Sequence, residues 1–411
     1  MFAALVIISG TGIAIFHLIK TPTATPSSPA VVTARGAFHT IQAAIDAAAN
    51  GDVIVVEPGV YRENIDFRGK AITLRSTAPE DPEVVAATII DGGNNGPVAT
   101  FRSGEPADSV LSGFTIIGGS GSWVRRVWEP GKEQYYGHFG GAILIIGSSP
   151  TIANNIITRN TSECTGGGIA ILAYSSPVIS GNTITGNSAR NGSGIAVIHH
   201  SSPIITGNVI SGNTAEYSGG GIFVRYRSSP AIKDNAINEN AALDGGGIVV
   251  VEHSSPGITG NTIMHNTSET EAGGIYVVVH SFPTISGNVI AGNRAQGGGG
   301  GIVVSFDSSP AITENDIRGN TAEITGGGIL VMVRSSPAIQ NNAIAGNRTG
   351  GDGGGIAIFH YATPTITANT IAENQAERGG AMWVSASSAL QPKTSDDNTY
   401  RDNVPDDIYH E

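Results

Sequence analysis

From residue 150 onward a proline returns every 26 or 27 residues, at Pro150, Pro177, Pro203, Pro230, Pro256, Pro283, Pro310, Pro337 and Pro364. Self-similarity at a fixed period of this size restricts the fold to stacked repeats, because one such unit cannot bury its own apolar face. Other columns keep the same step. Isoleucine stands two and seven residues after every one of these prolines. Asparagine stands five after (Asn155 to Asn369) and ten after (Asn160 to Asn374). Each cycle reads glycine cluster, short strand, Ser-Ser-Pro, short strand, Asn, short strand, Asn, loop. Ile and Val at spacing two mark strands with one buried face, and no segment of the repeat has helical periodicity. Three short parallel strands per cycle, stacked cycle on cycle, predict an all-β right-handed parallel β-helix of about 12 coils. The asparagines fit inward ladders of amides at roughly the 4.8 Å strand spacing.

The flanks differ from the repeat. Phe38, Ile41, Ile45 and Ala48 share one face of a short helix ended by Asn50-Gly51, which suits a cap on the open end of the stacked core. Phe2 to Ile19 is an apolar run, read as a cleaved signal or a membrane anchor, and a Thr/Pro/Ser linker follows. The expected organisation is therefore 1–20 signal or anchor, 21–35 linker, 36–139 cap, first coils and an aromatic insertion, 140–390 regular repeats, and 391–411 an acidic tail that closes or frays. Export is implied under either reading of the N-terminus, for a secreted or surface-anchored protein. A single cysteine, Cys164, excludes an internal disulfide, so stability has to come from repetitive packing. With 22 Lys and Arg against 34 Asp and Glu, net −12, the chain lacks the basic face a nucleic-acid partner requires.

The stretch "TIQAAIDAAANGDVIVVEPGVYREN" and the early-coil "LSGFTI" at Leu111 to Ile116 resemble the pectate-lyase-like superfamily of right-handed β-helices. The "GGGI" and Asn pattern is also similar to the GGAI repeats of polymorphic outer membrane proteins. The resemblance covers about residues 36–390 and implies fold. It implies no single activity, since the superfamily mixes lyases, hydrolases, esterases and non-catalytic surface proteins. The chain has neither the Asn-Thr-Asp plus Gly-Asp-Asp set of polygalacturonases nor the Gly-Gln-Ala of pectin methylesterases, so no catalytic residue carries over by motif.

Candidate residues come from comparing the cycles position by position. Strands two and three point small residues outward. The strand before Ser-Ser-Pro instead places Leu172, Ile198, Phe223, Arg225, Tyr276, Leu330, Met332 and Phe359 at its outward positions, which predicts an exposed apolar sheet suited to binding. Three residues before the proline stand Gly147, Tyr174, His200, Arg227, His253, His280, Asp307, Arg334 and Tyr361. With the preceding column this slot covers 18 of 411 positions but five of the ten histidines, so chance does not fill it.

Stacked at the strand spacing, Arg227, His253, His280, Asp307 and Arg334 would form one ionisable strip, the candidate catalytic set. Arginine suits carboxylates and histidine suits proton transfer near neutral pH. Tyr174, His200, Phe223, Arg225, Tyr276 and Tyr361 are candidate substrate contacts, with Trp123 and Trp128 from the insertion before the first regular coil. Of two chemistries, β-elimination on a uronide would use a histidine base and an arginine. Hydrolysis would need two carboxylates, for which Glu252 and Asp307 are available. Polar solvated turns are the alternative reading of the slot.

A glutamate column in alternate coils, Glu163, Glu216, Glu269, Glu323 and Glu377, suits calcium or plain solvated charge. No ligand-spacing motif marks a metal site, and the oligomeric state is not legible. Two functions are expected to compete: recognition, with or without cleavage, of an extracellular polysaccharide, and a non-catalytic adhesin or structural surface protein making protein contacts.

Overall fold

Ile248 to Val251, Gly257 to Thr259, Thr262 to Met264 and Thr267–Ser268 make one complete turn of the chain. In the computed structural model, which describes residues 31–33, 36–129, 132–388, 393–394, 397–405 and 407–411, that turn is repeated as a parallel β-solenoid of about 12 turns. The apolar N-terminal segment lies outside the described residues. We call the strand before Ser-Ser-Pro sheet 1, the strand after the proline sheet 2 and the next one sheet 3. Sheets 1 and 3 have 13 strands each and sheet 2 has 15. A fourth strip of seven short strands, absent from the sequence reading, runs after the second asparagine.

Register is set by like stacking on like. Ile248 pairs with Ile275 and Val250 with Val277 in sheet 1, Ile258 with Ile285 in sheet 2, and Ile263 with Ile290 in sheet 3. All eight side chains are fully buried. Each such burial contributes roughly 1.5–3 kcal/mol, so the core is a column of equal increments. A one-residue slip would turn every one of these side chains outward.

Two buried asparagine ladders close the corners. The Asn261 backbone N–H and its Nδ2 both donate to Asn288 Oδ1, at 2.9 and 3.0 Å. Nδ2 also donates to the Ile232 and Thr259 carbonyls, and Oδ1 accepts from the Asn235 backbone N–H and Nδ2 at 3.0 Å. Every polar atom of the amide is thus satisfied out of water, which a buried polar side chain requires. The acidic tail joins this system: Asn398 and Asn403 accept from Asn369 and Asn374 and extend both ladders by one coil.

The glycine clusters have two separate causes. Gly245 adopts φ +62°, a left-handed conformation that glycine enters without steric cost. At Gly246 there is no room, since a Cβ would lie 2.3 Å from the Thr267 carbonyl oxygen of the next coil.

At the N-terminus, helix Ile41–Ala47 buries Ile41, Ala44 and Ile45 against the first coil, and Thr40 caps it by accepting from the Ala43 N–H at 3.1 Å. A second short helix, Pro82–Ala87, starts at Asp81 and lies outside the repeat.

Replacing Asn261 by Ala leaves the Asn235 donors and the Ile232 carbonyl short of partners inside the core, and is expected to cost about 3 kcal/mol. Asn398→Ala, at the end of its ladder and less enclosed, should cost clearly less. Urea midpoints of the two variants check the difference.

Candidate corner site

Sheet 1 and sheet 2 are joined by a two-residue corner in which both residues are left-handed. His199 and His200 have φ of 57° and 58°, and the same holds for Tyr226–Arg227, Glu252–His253, Val279–His280, Phe306–Asp307, Val333–Arg334 and His360–Tyr361. Each non-glycine residue in this region carries roughly 1–2 kcal/mol of strain. The ladder offsets it: His200 N–H donates to the Tyr226 carbonyl at 3.0 Å, His253 to Val279 at 3.1 Å and His280 to Phe306 at 3.0 Å. The histidine slot is therefore a left-handed turn held in register from coil to coil, and its polarity has a conformational cause. Histidine and aspartate are among the side chains that tolerate this region.

Stacked corners bring side chains face to face. Tyr174 lies on His200 with ring centroids 5.0 Å apart and 6° between planes. His199 lies on Tyr226 at 4.6 Å, and His253 on His280 at 5.1 Å. The Asp307 carboxylate accepts two hydrogen bonds from Arg334, at 2.9 and 2.7 Å. The expected continuous strip thus resolves into a histidine pair and a closed ion pair, with Arg227 beside them.

The Arg334 hydrogen bonds hold the Asp307 carboxyl below the usual aspartate range. A carboxylate so held is a weak base. Glu252 accepts from Arg225 at 2.7 Å, and the Arg225 guanidinium lies 4.2 Å from the Tyr226 ring centre. Both carboxylates considered for hydrolysis are therefore already engaged by arginine.

A cavity of about 320 Å³ opens in the middle of this corner, lined by His200, Tyr226, Arg227, Glu252 and His253. Of the candidate catalytic set it contains Arg227 and His253. His280, Asp307 and Arg334 lie on the coils beyond. Tyr226 is not among the contacts expected from sequence, and Glu252 is expected only as a carboxylate for hydrolysis. The signal was present: both occupy the column next to the histidines, where Glu252 is an ionisable residue among Val279, Phe306 and Val333.

The expected exposed apolar sheet is corrected. Leu172, Ile198 and Leu330 are buried, Phe223 is 6% exposed, and Tyr276, Met332 and Phe359 are half-buried. Apart from Phe223, they belong to two outer clusters on the far side of sheet 1. The glycine cluster folds back over this face, so that a Cβ on Gly219 would sit 3.0 Å from Phe223 Cβ, and Tyr226 packs over the other flank. Burial among its neighbours also raises the Tyr276 hydroxyl's pKa, helped by the nearby Glu271 and Asp244 charges.

Aromatic exposure has moved to the corner: Tyr174 is 62% exposed, Tyr361 68% and Phe306 48%. In the insertion, a two-stranded hairpin of Ser122–Glu129 and Lys132–Phe139, Trp123 is exposed. The Trp128 side chain lies outside what is described.

In the glutamate column, Glu216 pairs with Arg190 at 3.3 Å and Glu323 with Arg294 at 2.8 Å. Among the described residues no three His, Cys, Asp or Glu side chains gather as a metal-binding set, and no helix is long and apolar enough to cross a membrane.

His199 is buried beneath this corner. Burial first, then the neighbouring His200 and Arg225 charges, lowers its pKa to about 4. A histidine that folds into its neutral form contributes stability fully above its unfolded pKa of about 6.5 and loses it as pH falls towards the folded value. Thermal midpoints should therefore fall between about pH 6.5 and pH 4. His199→Asn, which keeps left-handed tolerance, should flatten that part of the profile.

The model of the right handed beta helix region matches residues 134–290 and 272–408. A probable pectinesterase/pectinesterase inhibitor 17 of Arabidopsis thaliana is 39% identical over 100 residues, 23% of this chain and 18% of that protein. The chain thus spans less than a fifth of the length of the curated relative it matches. No solved structure matches. The periodic sequence, the stacked parallel coils and the matched segments agree: this chain belongs to the right-handed β-helix family, in keeping with the pectate-lyase-like superfamily its N-terminal stretch resembles.

Proposed function

We propose that the chain is an exported protein that recognises an acidic polysaccharide along the left-handed corner. The observation carrying this reading is the corner cavity, in which Arg227, His200 and His253 converge beside Tyr226. A guanidinium offers a planar two-donor match to a sugar carboxylate. Tyr174 and Tyr361, exposed along the same column, present amphipathic ring faces to sugar rings. The similarity of part of the chain to a probable pectinesterase supports a carbohydrate ligand.

Within this reading, cleavage has one geometry. His253 would take the proton next to the uronate carboxylate while Arg227 holds that carboxylate. The C–H electron pair would become the C4–C5 double bond as the bond to the departing sugar breaks, its pair passing to the glycosidic oxygen, which takes a proton from water. Hydrolysis fits less well, because Glu252 and Asp307 are each bound by an arginine. A non-catalytic surface or adhesive role is the second reading. It is favoured by the Asp307–Arg334 pair, which leaves the far half of the strip neutralised.

The test is binding and product formation on polygalacturonate and neutral glucans, with and without calcium. Arg227→Ala is expected to weaken binding to polygalacturonate at least about tenfold, equivalent to 1.4 kcal/mol. If cleavage occurs, His253→Ala should abolish an unsaturated product. Binding without product would establish the non-catalytic role. Unchanged binding in both variants would exclude the corner as a glycan site.

A further inference from the structure

A second cavity, of about 540 Å³, lies under the hairpin and is lined by Trp123, Thr161, Ser162, Glu163, Cys164, Ser188, Ala189, Arg190 and Glu216. It is separate from the corner. Apart from Trp123 of the hairpin, its residues come from the stretch between the second asparagine and the glycine cluster, which includes the short strands Ser188–Asn191 and Thr214–Ser218, at the opposite end of the sheet 1 strand Ile195–Ile198.

Its wall is Trp123, 54% exposed although it belongs to a chain with only three tryptophans. The ring is held in place from behind. His138 packs against it edge-on, centroids 5.4 Å apart at 78°, and is itself buried. His138 is fixed in turn: its Nδ1 accepts from the Glu163 N–H at 3.3 Å, and its carbonyl accepts from Ser162 Oγ and the Thr165 N–H, each at 3.0 Å. A rigid, solvent-facing indole set over a concave floor is a preorganised stacking surface, since little freedom is lost when a ligand lands on it.

The remaining lining decides the ligand class. Thr161, Ser162 and Ser188 bring hydroxyls and backbone groups. Glu163 and Glu216 bring two carboxylates against the one guanidinium of Arg190, which already contacts Glu216 at 3.3 Å. The cavity is net negative, so an anionic sugar would be repelled. Neutral hydroxyls can donate to the carboxylates while the apolar face of a pyranose ring lies on the indole.

We propose that this hairpin cavity is a second carbohydrate site, independent of the corner and selective for neutral pyranose oligosaccharides. The chain would then hold two glycan sites of opposite preference, an arginine-bearing corner and an acid-lined hairpin cavity.

The experiment titrates the full chain with cellohexaose, mannohexaose and hexagalacturonate, followed by tryptophan fluorescence and calorimetry. A neutral hexasaccharide should bind, and Trp123→Ala should weaken that binding at least about tenfold. Trp123→Phe should recover part of it, and with the corner disabled by Arg227→Ala, Glu216→Gln should lessen the remaining rejection of hexagalacturonate. Arg227→Ala at the corner should leave neutral binding unchanged, which separates failure here from failure there. Trp123 is exposed, so the unfolding midpoint should hold in its variants and report any misfolding. Absence of neutral hexasaccharide binding up to about 10 mM, or equal affinity in wild type and Trp123→Ala, overturns the proposal.

Discussion

The backbone of each coil is bonded to the same position of the next, and the buried asparagine amides lock that register. The Asn261 side chain donates to Asn288 on the next coil and to the Ile232 carbonyl on the preceding one, and accepts from Asn235, so removing it disturbs three coils. An amide is suited to this because it carries both donors and an acceptor, and so can repeat indefinitely along an axis without leaving a charge or an unpaired atom. A carboxylate could accept but not pass the chain of bonds on. The core isoleucines supply most of the driving force, and a one-residue slip would turn them outward. The amides add a directional lock, since each bond requires the equivalent asparagine one coil away.

Strict register has a consequence at the surface. Whatever occupies a corner position in one coil is placed against its equivalent in the next, one strand spacing away. Rings then stack on rings, as in Tyr174–His200 and His253–His280, and opposite charges close on each other, as in Asp307–Arg334. The corner is thus a one-dimensional array whose chemistry depends on the order of residues down the column. Arg227 is the point where a cationic side chain stands beside histidine and tyrosine at an open cavity, which is why the acidic-glycan reading centres there.

The hairpin interrupts the array just before the regular repeat. It projects from the coils before the regular repeat, and its Val124 and Phe139 join an outer apolar cluster that includes Leu172 and Ile198. That cluster buries residues that would otherwise make sheet 1 a sticky surface. Covering the sheet leaves the two proposed binding sites at its edges, the left-handed corner on one side and the hairpin cavity on the other. A binding surface made of edges suits an elongated ligand better than a compact one.

Much of this was determined by sequence alone. The period, the strand faces, the asparagine ladders, the capping helix and the histidine slot all follow from residue spacing, because in a solenoid each contact is between equivalent positions one repeat apart. Tertiary structure decided what spacing leaves open. Alternation says that Phe223 and Leu330 point away from the core, but not that the glycine loop returns to cover them. A column says that Asp307 and Arg334 are neighbours, but not that they bond to each other instead of facing a ligand. Glu252 was a plausible acid until Arg225, on the neighbouring coil, was seen to hold it. The tail looked unlike the repeat, yet its two asparagines, five residues apart, extend both ladders. Backbone periodicity is a local property readable from one dimension. The path of a turn and the choice of partner by a long charged side chain depend on what lies across the fold, and only the packed chain shows that.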